Sequence, residues 1–195
     1  MTATTPKATA SKIQPEGPYS EGTKPRGTFR GGMRVALGGT FDPVHDGHRA
    51  LFERAFEVGD VTVGLTSDEL APKTRHEDRY VRPFDERKTD LEAELAGFAD
   101  EYDREFEVRE LTEPTGIATE PQFGALVVSP ETTDGAERIN EIRVERGHDP
   151  LDVEVVPHVE AEDGDIISST RIVKGEIDEH GDLTPEREGR DAERE

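Results

Sequence analysis

The chain has 195 residues with no cysteine or tryptophan, and 45 acidic against 24 basic side chains give a net charge of −21. That allows one domain with a real core, rules out disulfides, thiol nucleophiles and Cys-ligated zinc, and argues against a general attraction to nucleic acid phosphates or anionic membranes. Apolar runs such as Ala125–Val128 fall far short of the roughly 18 residues that cross a bilayer, and no apolar signal segment is present, so a cytoplasmic protein is expected.

Residues 1–32 are rich in Thr, Pro, Gly and Lys and hold few large apolar groups, so they read as a disordered leader. Their charge is basic, from Lys7, Lys12, Lys24, Arg26 and Arg30 against Glu16 and Glu21, so the acid excess belongs entirely to residues 33–195. Beyond the leader the only lysines are Lys73, Lys88 and Lys174, a pattern resembling proteins of salt-accumulating halophiles. At about 1 M salt the Debye length is about 3 Å, which screens such self-repulsion. The acidic surface is consistent with a monomer.

From Met33 strand and helix signals alternate. Residues 33–38 read as a buried strand ending in glycines, and 47–58 as a helix with Leu51, Phe52, Ala55 and Phe56 on one face. A second strand is expected at 61–66. The segment 71–82 is a basic island, with Lys73, Arg75, Arg79 and Arg82 against Glu77 and Asp78. A long helix over 83–102 repeats Leu91, Leu95, Phe98 and Tyr102 at helical spacing. Strands follow at 106–111 and 125–129, then a helix over 134–146 with Ala136, Ile139 and Ile142 inward and Gly147 as its stop. A fifth strand is expected at 153–159, and Ser168 or Ser169 caps a last short helix. The pattern predicts one doubly wound, Rossmann-like α/β domain over 33–175 around a five-stranded parallel sheet, with an acidic flexible tail over 176–195.

Two stretches carry the chemistry. The first runs from Gly38 and Gly39 through Thr40, Phe41, Asp42, Pro43 and Val44 to His45, Asp46, Gly47 and His48, where a strand turns into a helix. Unpaired N–H groups and the positive dipole end at a helix N-terminus suit phosphate, and two imidazoles can donate to phosphoryl oxygens. A capping histidine or half of a metal site are the other readings, but His76, His148, His158 and His180 show no ligand spacing with this pair. The second is Ile167, Ser168, Ser169, Thr170, Arg171 and Ile172, where three hydroxyls and an arginine at a helix start converge as anion donors.

The turn with its H-x-G-H sequence, His45 to His48, resembles the signature of a nucleotidyltransferase superfamily, and residues 167–172 are similar to that superfamily's second signature. Across about residues 33–178 the chain resembles the archaeal phosphopantetheine adenylyltransferases, through residues 64–69, 83–87, 127–132 and 161–164 as well. The resemblance implies transfer of AMP from ATP to 4′-phosphopantetheine, with Mg²⁺, yielding dephospho-coenzyme A and pyrophosphate. It implies His48 at the α-phosphate, His45 beside the β-phosphate, and Thr40 and Lys73 orienting the acceptor phosphate, with Lys88 a rival to Lys73. Gly38, Gly39, Thr40 and Phe41 would line the nucleotide turn. Ser168, Ser169, Thr170 and Arg171 would hold the departing phosphates, and Ser129, Pro130, Glu131 and Thr132 would border the adenosine. The Gly-Leu-Arg segment of bacterial forms is absent, so Arg75, Arg79 or Arg87 stands as its substitute. The competing readings are a nicotinate or nicotinamide mononucleotide adenylyltransferase, a cytidylyltransferase and a non-catalytic nucleotide-binding regulator.

Overall fold

The computed structural model describes residues 32–74 and 79–185. The leader over 1–31, Arg75 of the basic island and the tail beyond residue 185 lie outside the described residues. Five parallel strands form one sheet: β1 (Arg34–Gly39), β2 (Asp60–Thr66), β3 (Phe106–Leu111), β4 (Ala125–Val128) and β5 (Asp152–Val155), in the order β3-β2-β1-β4-β5. This is the predicted doubly wound arrangement. Its strand order reverses between β1 and β4, and ligands bind beyond the C-terminal strand ends at such a reversal.

The helices are α1 (Asp46–Val58), α2 (Phe84–Tyr102), α3 (Thr133–Glu145) and the single-turn α4 (Ser169–Val173). Every residue of β2 and β4 is buried, as expected for strands covered on both faces. Alternation along β1 divides the core: Val35 and Leu37 meet Phe52 and Phe56 of α1 and Leu91 and Leu95 of α2, whereas Ala36 faces the side where Phe123, Leu126, Ala136 and Ile139 pack. Phe52 and Phe56 are fully buried, and burying each contributes about 1.5–3 kcal/mol.

Three features depart from the sequence expectations. Strand β5 stops at Val155 instead of 159; Val156 N still donates to Val128 O at 2.9 Å, but Pro157 has no N–H to continue the ladder. In α3, Arg143 takes a buried place while Ile142 is only half-buried, because the Arg143 guanidinium donates to the carbonyls of Ala118, Phe123 and Asp149. The third departure concerns the domain's end. Ile177 is 1% exposed and packs with Ala161 and Ile167, while the Ile177–Leu183 bridge closes a loop around Gly181. Gly181 has φ +88°, and a Cβ there would lie 2.9 Å from Ala161 Cα, so only glycine fits without strain. The packed fold therefore reaches Leu183, past the boundary expected at residue 175.

Candidate active site

Strand β1 delivers the first signature to the sheet's C-terminal edge. The chain then bends sharply: Phe41 adopts φ +46°, and its ring folds back so closely over Gly39 that a Cβ there would sit 2.8 Å from Phe41 Cζ. The Phe41 ring is buried edge-on to His48 at 5.0 Å between centroids and against Phe52 at 5.2 Å. Phe41, expected to line the nucleotide turn, thus has its side chain in the core. Asp42, 3% exposed, accepts from the backbone N–H and the Nε of Arg82, both at 2.7 Å, which ties the turn to the start of α2.

His45 occupies the N-cap position of α1 without a side-chain capping bond, and its ring stacks on His48 with centroids 3.7 Å apart. Burial pushes the His45 imidazole down to about 4; the Asp46 carboxylate opposes this, and Arg49 and Arg79 add to it. Burial likewise holds His48 well below its ordinary range, with His45, Arg79 and Arg49 adding. Both rings are therefore neutral near pH 7 in the ligand-free chain. Each Nδ1 is buried without a hydrogen-bond partner, the kind of orphaned polar atom that a ligand would satisfy.

The two signatures meet. Ser169 Oγ donates to Pro43 O at 3.1 Å, and the carbonyl of Ile167 lies 3.9 Å from where a Gly47 Cβ would stand. The segment beyond α4 also returns to the turn: Asp46 N donates to Glu179 O at 3.0 Å, and His180 Nδ1 lies 3.2 Å from the Asp46 carboxylate. Burial works to raise the Asp46 carboxyl, but hydrogen bonds from Arg49 and His180 outweigh it and hold the group below its ordinary value. Asp46 N and His48 N, the latter donating to His45 O at 2.8 Å, are thus two N-terminal donors of α1 already taken by the chain itself.

Within the second signature, Ser168 caps α4 by accepting from Arg171 N at 3.3 Å. Arg171, expected to present its guanidinium to phosphate, is instead paired with Asp163 at 2.5 Å and Glu176 at 3.3 Å, and donates to Ile166 O. Phosphate binding through Arg171 would require exchange of those carboxylates. Thr170 stands half-buried in the first turn of α4.

Ser129, Pro130, Glu131 and Thr132 form a 3-10 turn between β4 and α3, with Thr132 Oγ1 donating to Ser129 O at 3.1 Å. It lies at the neighbouring strand end and makes no hydrogen bond to the histidine turn among the described residues. Glu131 approaches His158 Nε2 to 3.4 Å without hydrogen-bond geometry. The basic island divides. Arg82 is spent on Asp42 and Asp90, Lys73 is exposed in a 3-10 turn (Ala71–Lys73), and the charge of Arg79 is felt at both histidines. Arg79 also lines a cavity of about 370 Å³ together with Asp68, Ala71, Pro72, Tyr80 and Val81. Lys88 faces Glu92 on the exposed side of α2.

Sequence reasoning named one contributor without foreseeing its place and missed another. Arg87, offered as one substitute for the bacterial arginine, is fully buried beneath the turn, donating to Arg82 O, Thr40 O and Asp68. Helical spacing gives no signal for a buried arginine, since charged residues are read as surface. The His180 approach to Asp46 joins positions too far apart for any local pattern to connect.

The model of the cytidylyltransferase-like family matches residues 36–175. The phosphopantetheine adenylyltransferase of Methanosarcina acetivorans is 44% identical over 159 residues, covering 78% of this chain and 97% of that protein. The phosphopantetheine adenylyltransferase of Archaeoglobus fulgidus is 42% identical over 153 residues, covering 77% and 99%. A solved structure of a protein of unknown function from Archaeoglobus fulgidus superposes with a TM-score of 0.55 at 38% identity, covering 64% of this chain and 89% of that one. With both signatures lying against each other at the sheet's reversal point and these relatives matched over nearly their whole length, the chain belongs to the cytidylyltransferase-like family and, within it, to the phosphopantetheine adenylyltransferases.

Proposed function

We propose that this chain transfers the adenylyl group of ATP to the phosphate of 4′-phosphopantetheine, a step of coenzyme A biosynthesis. An oxygen of the acceptor phosphate bonds to the α-phosphorus, the bond from that phosphorus to the α–β bridging oxygen breaks, and pyrophosphate leaves as dephospho-coenzyme A forms. A phosphate monoester is already largely ionised at pH 7, with its second pKa at about 6, so no protein base or nucleophile is needed. What remains is positioning and stabilisation of charge on phosphoryl oxygens.

The observation that carries this reading is the junction of the two signatures through Ser169 and Pro43. In it, the neutral imidazoles of His48 and His45 supply N–H donors to the α- and β-phosphate oxygens, and the N-terminus of α1 adds its dipole. Ser168, Ser169, Thr170 and Arg171 hold the leaving pyrophosphate, with Gly38, Gly39 and the Phe41 backbone beneath the nucleotide and residues 129–132 beside the adenosine. Thr40 and Lys73 receive the acceptor phosphate, and the cavity lined by Arg79 and by Pro72, the residue before Lys73, supports an acceptor on that side. Mg²⁺ would arrive as the ATP complex, since phosphates and water serve as its ligands when a protein offers no dedicated cage. No metal-ligand cluster of His, Asp and Glu is found among the described residues.

The same reading has the enzyme working as a cytoplasmic monomer in a salt-rich interior, with no nucleic acid partner. No helix among the described residues is long and apolar enough to cross a membrane. The unfolding midpoint should fall as KCl is withdrawn, and a salt-independent midpoint would remove the halophilic part. The test of function is pyrophosphate release from MgATP with 4′-phosphopantetheine, nicotinamide mononucleotide and nicotinate mononucleotide in separate reactions at high KCl. Release with phosphopantetheine alone is expected; release only with a pyridine mononucleotide, or ATP binding without release, overturns the assignment.

A further inference from the structure

Beneath Thr40 lies a short chain of hydroxyls ending on a cation. Arg87 is fully buried, and its Nη1 donates to Thr40 O at 3.3 Å and to Thr66 Oγ1 at 3.5 Å, while Nε and Nη2 are anchored on Arg82 O and Asp68 at 2.8 and 2.9 Å. Thr66, the last residue of β2 and 3% exposed, has its Oγ1 3.0 Å from Thr40 Oγ1. Thr40, immediately after β1 and within the first signature, is only half-buried.

The direction of each bond follows from the chemistry of the groups. A guanidinium is always protonated and only donates, so Thr66 Oγ1 accepts from Arg87. The hydrogen of a buried hydroxyl must itself find an acceptor, because leaving it unpaired costs about 1–3 kcal/mol. Among the described residues the acceptor offered to Thr66 is Thr40 Oγ1. Thr40 Oγ1 therefore accepts from Thr66, which leaves its own hydrogen available to a ligand. The order is Arg87 to Thr66 to Thr40 to ligand. Without Thr66, the Thr40 hydroxyl is as free to present a lone pair as a hydrogen, and a lone pair repels a phosphate oxygen.

We infer that Thr66, held by Arg87, is a positioning residue that fixes the Thr40 hydroxyl as a donor to the acceptor's phosphate. This rests on the adenylyl-transfer reading above, in which Thr40 meets the phosphate of 4′-phosphopantetheine. Thr66 touches no substrate, so its effect belongs to acceptor affinity and alignment and leaves ATP binding unchanged. Thr66→Val keeps the shape of the side chain and removes both its donor and its acceptor, whereas Thr66→Ser keeps both.

The experiment is a steady-state titration of each substrate with wild type, Thr66→Val, Thr66→Ser, Thr40→Val and the Thr40→Val/Thr66→Val double variant at high KCl, with urea unfolding recorded for each. Thr66→Val should raise the KM for 4′-phosphopantetheine about tenfold with the KM for ATP unchanged, the scale of one hydrogen bond to a charged group. Thr66→Ser should restore wild-type affinity. In the Thr40→Val background Thr66→Val should add less than about twofold, because its effect runs through a hydroxyl already absent. If Thr66→Val does not fold, Thr66→Ala against Thr66→Ser makes the same comparison. An unchanged acceptor KM in the hydroxyl-free variant overturns the inference, as do equal shifts in both KM values or full additivity in the double variant. Wild-type enzyme that adenylates no phosphopantetheine overturns the functional reading instead, so the two failures are separable.

Discussion

Acidification should destabilise the fold through His45. Its pKa is about 4 in the folded chain against an ordinary 6.5, and the residue is 5% exposed. Because the folded-state value lies below the unfolded one, the unfolded chain binds more protons between them, and stability is lost as pH falls from above 6.5 toward 4. Between pH 7.5 and pH 5 the loss from His45 alone is about 2 kcal/mol. The many carboxylates complicate the raw pH profile, since partial neutralisation of the acidic surface works in the opposite direction. The comparison with His45→Gln removes that background, because both proteins share every other titrating group. Urea unfolding of both at fixed high KCl should show the stability difference moving about 2 kcal/mol in favour of the variant as pH drops from 7.5 to 5. A difference that does not change with pH would show that the imidazole titrates in the folded protein as it does in the unfolded chain, and the burial argument would fail.

Three further outcomes are expected at the site. His48→Ala should lower turnover by about 10²–10³-fold with a modest change in ATP affinity, the range seen when one donor to a developing oxyanion is removed; turnover near wild type would remove its role. Lys73→Ala should raise the KM for 4′-phosphopantetheine in the same assay, and a defect confined to ATP would assign that lysine to the nucleotide. Arg82→Ala strips the buried Asp42 carboxylate of its side-chain partner and should cost about 1–3 kcal/mol in urea unfolding, with a change below about 0.5 kcal/mol contradicting the turn anchor.

The parts of the fold legible in the sequence were those written in local patterns. Uninterrupted apolar runs such as Ala125–Val128 announced strands covered on both faces, and helical spacing of Leu91 and Leu95 announced the buried stripe of α2. The histidine turn was legible because glycines and imidazoles at fixed spacing between a strand and a helix have few other uses. Buried cations were not legible. Arg87 and Arg143 lie inside because carbonyls and a carboxylate from distant segments converge on them, and nothing in their own helices records those partners. The packing of Ile177 and Leu183 was hidden for a similar reason: isolated apolar residues in an acidic stretch read as tail until Ala161 and Ile167 are seen to cover them. The pairing of Arg171 with Asp163 and Glu176 was equally invisible, because an arginine in a signature is read for its ligand and not for its neighbours.

The account depends on the turn before α1 and the segment at α4 holding one triphosphate between them. Amide hydrogen exchange with and without MgATP tests this directly at high KCl. Added nucleotide should slow exchange at residues 46–49 and at residues 169–172 together, with the same concentration dependence. Protection at one segment with no change at the other would contradict a shared site.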